Sequence, residues 1–256
     1  MTENNRTIPF NIKLADVVIR IEPMFDYVRE YCREYITTEQ AAFAVRTETA
    51  DIAFERERSA RSAEREGRKD YPAFDAYLET LAVYRQIAEQ LCMRDILLFH
   101  GSAIAVDGIG YLFTAKSGTG KSTHTRLWRE LFGSRAVMVN DDKPLLKITE
   151  SGVTVYGTPW NGKHRISTNI AVPLKAVCVL DRSEENHIEE MKATQAYQML
   201  LQQSYRPLVK EAVVRSLQLI DVMKKNIRFY KLGCNMNPKA ARVAFEGMNG
   251  ERMNLT

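Results

Sequence analysis

The chain has 256 residues, 45% hydrophobic and 27% charged, with a formal charge of +4, a balance ordinary for a folded globular protein. Basic and acidic residues are interleaved, so the charge suits phosphate-bearing ligands without demanding nucleic acid. No apolar run approaches the ~18 residues of a membrane span. The polar start MTENNRTIPF lacks the apolar core of a secretory leader, and Cys32, Cys92, Cys178 and Cys234 have neither metal nor redox spacing. The expectation is a cytoplasmic chain with no nucleic-acid or membrane partner.

In chain order, the apolar run over Asp16–Ile21 predicts a strand. Phe25, Val28, Cys32 and Tyr35 recur at helical spacing and predict a helix over Met24–Ile36. Ala41–Arg46 reads as another strand. The charged run Glu55–Asp70 carries Glu57/Arg61 and Glu64/Arg68 four residues apart, as a solvated helix does. Asp70–Met93 predicts a long amphipathic helix, with Phe74, Tyr77, Leu78, Leu81, Tyr84, Ile87 and Leu91 on one side.

Beyond Met93 short β-rich runs take over: ILLF, SAIAV and IGYLFTA. Asp107–Gly108 between the last two is a hairpin turn, because both turn positions need positive φ. Thr149–Gly152 separates PLLKI from VTVYG in the same way. Strands are expected over Pro173–Leu180 and residues 227–232, and helices over Glu185–Tyr205, Leu208–Lys225 and Pro238–Met248. The hairpins require a mixed sheet. The expectation is therefore an α/β fold with two parts: residues 1–94, an α/β portion with a surface for a partner, and residues 95–256, a mixed β core.

Within the second part, YLFTAKSGTGKSTHTRLW places a glycine-rich loop between a strand and a helix. Residues Ala115, Lys116, Ser117, Gly118, Thr119, Gly120, Lys121, Ser122 and Thr123 follow the phosphate-loop pattern, with Ala115 where glycine is usual. Gly118 and Gly120 permit backbone shapes that point successive N–H groups inward at an anion. The helix that follows turns its positive end to the same point. In this pattern the lysine, Lys121, reaches the terminal phosphates and the hydroxyl, Ser122, binds Mg²⁺. Downstream, the apolar run Ala136–Val139 ends in Asn140, Asp141 and Asp142. Two adjacent carboxylates at a strand end repel each other, and a divalent cation relieves this. Read alone, the same pair could be an Asp-Asp turn into Lys143–Pro144.

HGSAIAVDGIGYLFTAKSGTGKST followed by VNDD resembles the catalytic domain of the HPr kinase/phosphorylase family, and SGTGKST with the acid pair also resembles ATP-dependent phosphoenolpyruvate carboxykinase, which shares that fold. The resemblance spans roughly Leu97–Leu180. It implies the HPr-kinase/carboxykinase type of fold, with ATP and Mg²⁺ as cofactors. It further implies that Lys121 contacts phosphate, that Ser122 binds Mg²⁺, that Asp142 is the catalytic acid/base with Asp141 beside it, and that His100 lies near the phosphates; the expected mechanism sets Mg²⁺ on Ser122 and Asp141. The chain departs from the family at Thr123, where glutamate is usual, and has no Glu-x-Arg-Gly motif.

GTPWNGKHR, residues 157–165, reads as a loop. Lys163 and Arg165 could offset charge on a transferring phosphoryl group and Trp160 could pack on a base or acceptor, or Trp160 could simply anchor the loop. The expected activity is transfer of the ATP γ-phosphoryl to a hydroxyl, a serine of a peptide or small protein. A small-molecule kinase and an ATP-binding switch that transfers nothing stand as alternatives, and a homo-oligomer is left open.

Overall fold

The computed structural model describes residues 7–65, 67, 73–116, 118–162 and 164–250. It divides into two compact units, Met1–Gln90 and Leu91–Thr256. Among the described residues no helix is long and apolar enough to cross a membrane.

The first unit builds a four-stranded sheet in the order β3-β1-β2-β4. β1 (Phe10–Leu14) and β2 (Val17–Glu22) pair antiparallel across a turn in which Ala15 and Asp16 have positive φ. β1 was not expected from the sequence, although Phe10, Ile12 and Leu14 alternate inward in it. The expected helix over Met24–Ile36 is shorter: α1 covers Tyr27–Tyr31, one 3-10 turn follows, and β3 (Ile36–Thr37) pairs with Asn11 and Ile12 of β1. Sheet pairing takes Ile36, the last residue that the helical period had claimed. β4 (Phe43–Arg46) lies parallel to β2. α2 (Thr49–Arg65) is the charged helix, with Arg61 bonded to Glu57 at 3.0 Å; Arg68 lies outside the described residues. It is not wholly solvated, because Glu55 is buried and bonds Arg85 Nε at 2.7 Å. Arg85 belongs to α3 (Asp75–Cys92), which also carries the buried Glu79. Glu79 accepts from the backbone N–H of Met24 and Phe25 and from the Thr47 hydroxyl.

The second unit is the expected mixed sheet. Its strands are β5 (Ile96–Leu98), β6 (Ser102–Val106), β7 (Ile109–Thr114), β8 (Ala136–Asn140), β9 (Leu145–Thr149), β10 (Gly152–Tyr156), β11 (Ala171–Arg182), β12 (His187–Glu190) and β13 (Arg228–Cys234). The order is β5-β9-β10-β11-β7-β6-β8, with β13 against β11 and β12 against β13. β7 and β13 both run parallel to β11. Both hairpin turns fall where the sequence placed them, and Asp107 and Gly108 have φ of 50° and 79°.

The middle strands are covered on both faces. Leu112, Val177 and Phe229 face a core shared with α5 (Ala193–Gln203) and α6 (Lys210–Asn226). Their neighbours Tyr111, Phe113, Cys178 and Tyr230 face a second core shared with α4 (Lys121–Phe132) and α7 (Lys239–Asn249). Strands buried on both faces read as continuous apolar runs, as these do. One expectation fails here. The helix over Glu185–Tyr205 gives way to β12 before α5 begins, because His187–Glu190 pairs antiparallel with β13. A Cβ at Gly233 would lie 2.3 Å from the His187 ring, so a larger residue there would require that exposed imidazole to swing aside.

Candidate functional site

The loop Ala115–Ser122 joins β7 to α4. Gly118 and Gly120 have φ of +76° and +116°, in the region that side chains rarely adopt. Gly120 caps α4 at its start, and Gly133 ends it with φ 55°. Buried Leu127, Trp128 and Phe132 hold α4 to the sheet, and Trp128 Nε1 donates to His124 Nε2 at 3.0 Å. The first turn of α4 is thereby fixed beside the end of β8. Ser117 and Lys163, both expected site residues, lie outside the described residues.

At the end of β8, Asn140 is fully buried and its side chain is used completely. Its Oδ1 accepts from the backbone N–H of Asp142 at 2.8 Å and of Lys143 at 2.7 Å, and its Nδ2 donates to the carbonyl of Thr158 at 3.0 Å. This turn aims the two carboxylates apart. Asp141 turns to α4 and β6: its Oδ2 accepts from Ser122 Oγ at 3.0 Å and its Oδ1 from Ser102 Oγ at 2.9 Å. Asp142 turns to His100, whose Nε2 is 3.5 Å from its Oδ1, and to Lys143 at 3.9 Å. Lys121 Nζ is 3.4 Å from the same His100 nitrogen, and Gln203 Oε1 is 3.2 Å from Nδ1.

The two acids differ in electrostatics. Burial raises the Asp141 pKa, outweighing the two serine hydrogen bonds that lower it. Burial also pushes Asp142 up, but His100, Lys143 and Lys121 override it and hold its pKa below the ordinary carboxylate value. Asp142 is therefore ionised throughout the neutral range.

The loop over residues 157–170 closes over this strand end. A Cβ at Gly157 would meet the Thr168 carbonyl oxygen at 2.0 Å and that of Val139 at 2.8 Å, so the backbone passes hard against β8. Gly162, with φ +72°, passes 3.1 Å from the Asp142 Cβ by the same measure. Trp160 is 1% exposed and anchors the loop, with no face for a ligand. Arg165 is exposed. A cavity of about 220 Å³ opens between α4 and this loop, lined by Ser122, Asp141, Arg126, Arg129 and His164 among others. Two of those basic residues, Arg126 and Arg129, were not anticipated; they sit one and two turns beyond Ser122 on α4, a helical spacing that could have flagged them.

The structure thus gathers Lys121, Ser122, His100, Asp141 and Asp142, and adds Ser102, Asn140 and Gln203. Among the described residues no group of three or more His, Cys, Asp or Glu could hold a metal by itself. The hydroxyl and carboxylate of Ser122 and Asp141 are the hard oxygen pair in the site.

A mixed α/β sheet with helices on both faces of its middle strands, carrying an acid pair beside a glycine loop, defines the class. The profile of the family described as SynChlorMet cassette protein ScmC matches residues 75–237. The chain belongs to the ScmC family. No curated protein matches it in sequence. Among solved structures, the HPr(Ser) kinase/phosphatase of Coxiella burnetii is similar over 60% of this chain and 93% of that one, at 11% identity and a TM-score of 0.35. That likeness is weak and concerns the fold alone.

Proposed function

We propose that this protein is an ATP-dependent phosphotransferase that moves the γ-phosphoryl of ATP to a hydroxyl, a serine of a peptide or small protein. One observation carries the reading: the Ser122 hydroxyl sits 3.0 Å from Asp141, with Lys121, His100 and Asp142 alongside. A phosphate-loop serine and a strand-end carboxylate are the two protein ligands that Mg²⁺ uses in such sites, the remaining positions going to phosphate oxygens and water. The oxygen donors present fit that ion. Bound there, Mg²⁺ would neutralise charge on the β- and γ-phosphate oxygens.

The residues divide the remaining work. The N–H groups of Ala115–Ser122 and the start of α4 hold the triphosphate. Lys121 neutralises the terminal phosphates. The acceptor oxygen bonds to the γ-phosphorus as the bond to the β–γ bridging oxygen breaks, and the acceptor proton passes to the Asp142 carboxylate. A depressed pKa makes Asp142 a weak base. In a loose transition state the proton leaves late, so orienting the hydroxyl matters more than basicity. His100 positions Asp142 against Lys121.

The basic cavity between α4 and the 157–170 loop favours a second reading, a small hydroxylated acid as acceptor. Arg126, Arg129 and His164 would hold its anionic group beside Asp141. Transfer of labelled γ-phosphate in a lysate of the source cells, resolved by size, tests both. Label in a discrete protein or peptide band, lost with Asp142→Asn, supports the first reading. Label only in small molecules sinks it and supports the second. No transfer to any acceptor leaves neither standing.

A further inference from the structure

The glycine loop has two sides. The acid pair lies on the β8 side. On the other opens a larger cavity, about 760 Å³, between the first turns of α4 and the segments Arg182–Glu184 and Cys234–Met236. Those segments follow β11 and β13, which run parallel through β11 with β7, so all three carboxyl ends open on one edge. Ligands of open α/β sheets bind in such a crevice. The volume falls within the roughly 300–1,000 Å³ of small-molecule sites.

The far wall is tied together. Asn235 donates its backbone N–H to Asn186 Oδ1 at 3.0 Å, receives the Asn186 amide at 3.1 Å, and donates Nδ2 to the Glu184 carbonyl. Arg182 Nη2 donates to the Gly118 carbonyl at 3.0 Å and links that wall to the glycine loop. Met236, at the rim, is 79% exposed, an apolar side chain with little protein cover. The near wall holds an orphan. His124 is 3% exposed, and its Nε2 accepts from Trp128, which leaves the proton on Nδ1. Nδ1 is buried and has no hydrogen-bond partner among the described residues. A buried donor that the protein leaves unpaired calls for a partner from outside it, and an acceptor on a ligand in the adjoining cavity is one.

We propose that this cavity is the nucleoside subsite: it takes a purine and its ribose, with the base on Met236 and a ring nitrogen or ribose oxygen accepting from His124 Nδ1. The proposal rests on the phosphate-loop reading above. The size of the cavity favours a purine over a pyrimidine, and the thioether of methionine suits an aromatic face. Arg182 and the Asn186–Asn235 clasp hold the wall in position without touching the phosphates.

Calorimetry with two probes, ATP·Mg²⁺ and tripolyphosphate·Mg²⁺, tests it. The wild type is expected to prefer ATP. Ser183→Trp, which fills the cavity from a half-buried position, should bring ATP down to the tripolyphosphate affinity. Met236→Ala should weaken ATP roughly three- to tenfold and leave tripolyphosphate unchanged. Circular dichroism checks that both variants fold. Equal wild-type affinity for the two probes overturns the proposal while the phosphate loop stands, and so does an ATP preference that survives both substitutions. If the wild type binds neither probe, the phosphate-loop reading itself has failed, and the subsite with it.

Discussion

The Ser122 hydroxyl donates to Asp141 Oδ2 across 3.0 Å, joining the start of α4 to the end of β8. In the proposed mechanism these two oxygens would hold the metal. Asp141→Asn should therefore raise the Mg²⁺ concentration needed for turnover while leaving the chemical step intact at saturating metal. Mg²⁺ titration of initial rates measures it; an unchanged half-saturation would remove Asp141 from the metal.

Asp142→Asn should behave differently. ATP binding is retained and transfer falls by roughly 10²–10⁴, the usual worth of a general base. Calorimetry and single-turnover transfer separate the two quantities. If Asp142→Asn alters the metal requirement and Asp141→Asn the chemical step, the two roles are reversed.

Lys121→Ala should weaken ATP·Mg²⁺ by about ten- to a hundredfold, the range of a charge-assisted hydrogen bond. Lys121 is half-buried at the first position of α4, outside the apolar core, so the fold should tolerate the loss. A folded variant with wild-type affinity would rule out phosphate binding at this loop.

Asn140→Ala removes the acceptor for two backbone N–H groups and the donor to Thr158. Unsatisfied buried groups cost about 1–3 kcal/mol each, so the variant should lose stability on that order in urea denaturation. It should also lose transfer beyond that, because the turn that separates the acids is gone. Full activity in a folded Asn140→Ala protein would show that the acids are positioned by something else.

His124 gives a pH dependence. Burial lowers its pKa from 6.5 to about 3. The unfolded chain takes up a proton below 6.5 and the folded one does not until about 3, so the unfolded state binds more protons between them. The stability this group contributes is present above 6.5 and is lost as pH falls toward 3. Urea midpoints measured across this window should fall more steeply for the wild type than for His124→Gln. Parallel slopes would mean that His124 is protonated in the folded protein.

The glycine loop, α4 and the acid pair were legible because each is local: a strand, a glycine pattern, a helix and a run ending in acids announce themselves within a few residues. Hairpins were legible for the same reason. What escaped was set by partners far away in the chain. Ser102 meets Asp141 39 residues on, Gln203 meets His100 103 residues back, and Arg182 meets Gly118 64 residues back. β12 looked helical because HIEE carries no strong strand signal of its own, and antiparallel pairing with the distant β13 makes it a strand. Trp160 gave no hint of its burial, since a tryptophan in a Gly-Pro loop suits an anchor as well as a ligand platform.

Gly157 has no side chain to offer a ligand, yet replacing it should cost as much activity as replacing the lysine. Any side chain there must push apart two carbonyl-bearing backbones, that of Thr168 and that of Val139, and no rotamer escapes the clash. In a saturation mutagenesis screen for activity, this glycine should tolerate nothing and so imitate a catalytic residue. Reading binding alone would not distinguish it from Lys121 either, but a protein-abundance readout would: substitutions at Gly157 should deplete the folded protein, whereas those at Lys121 should leave its level untouched.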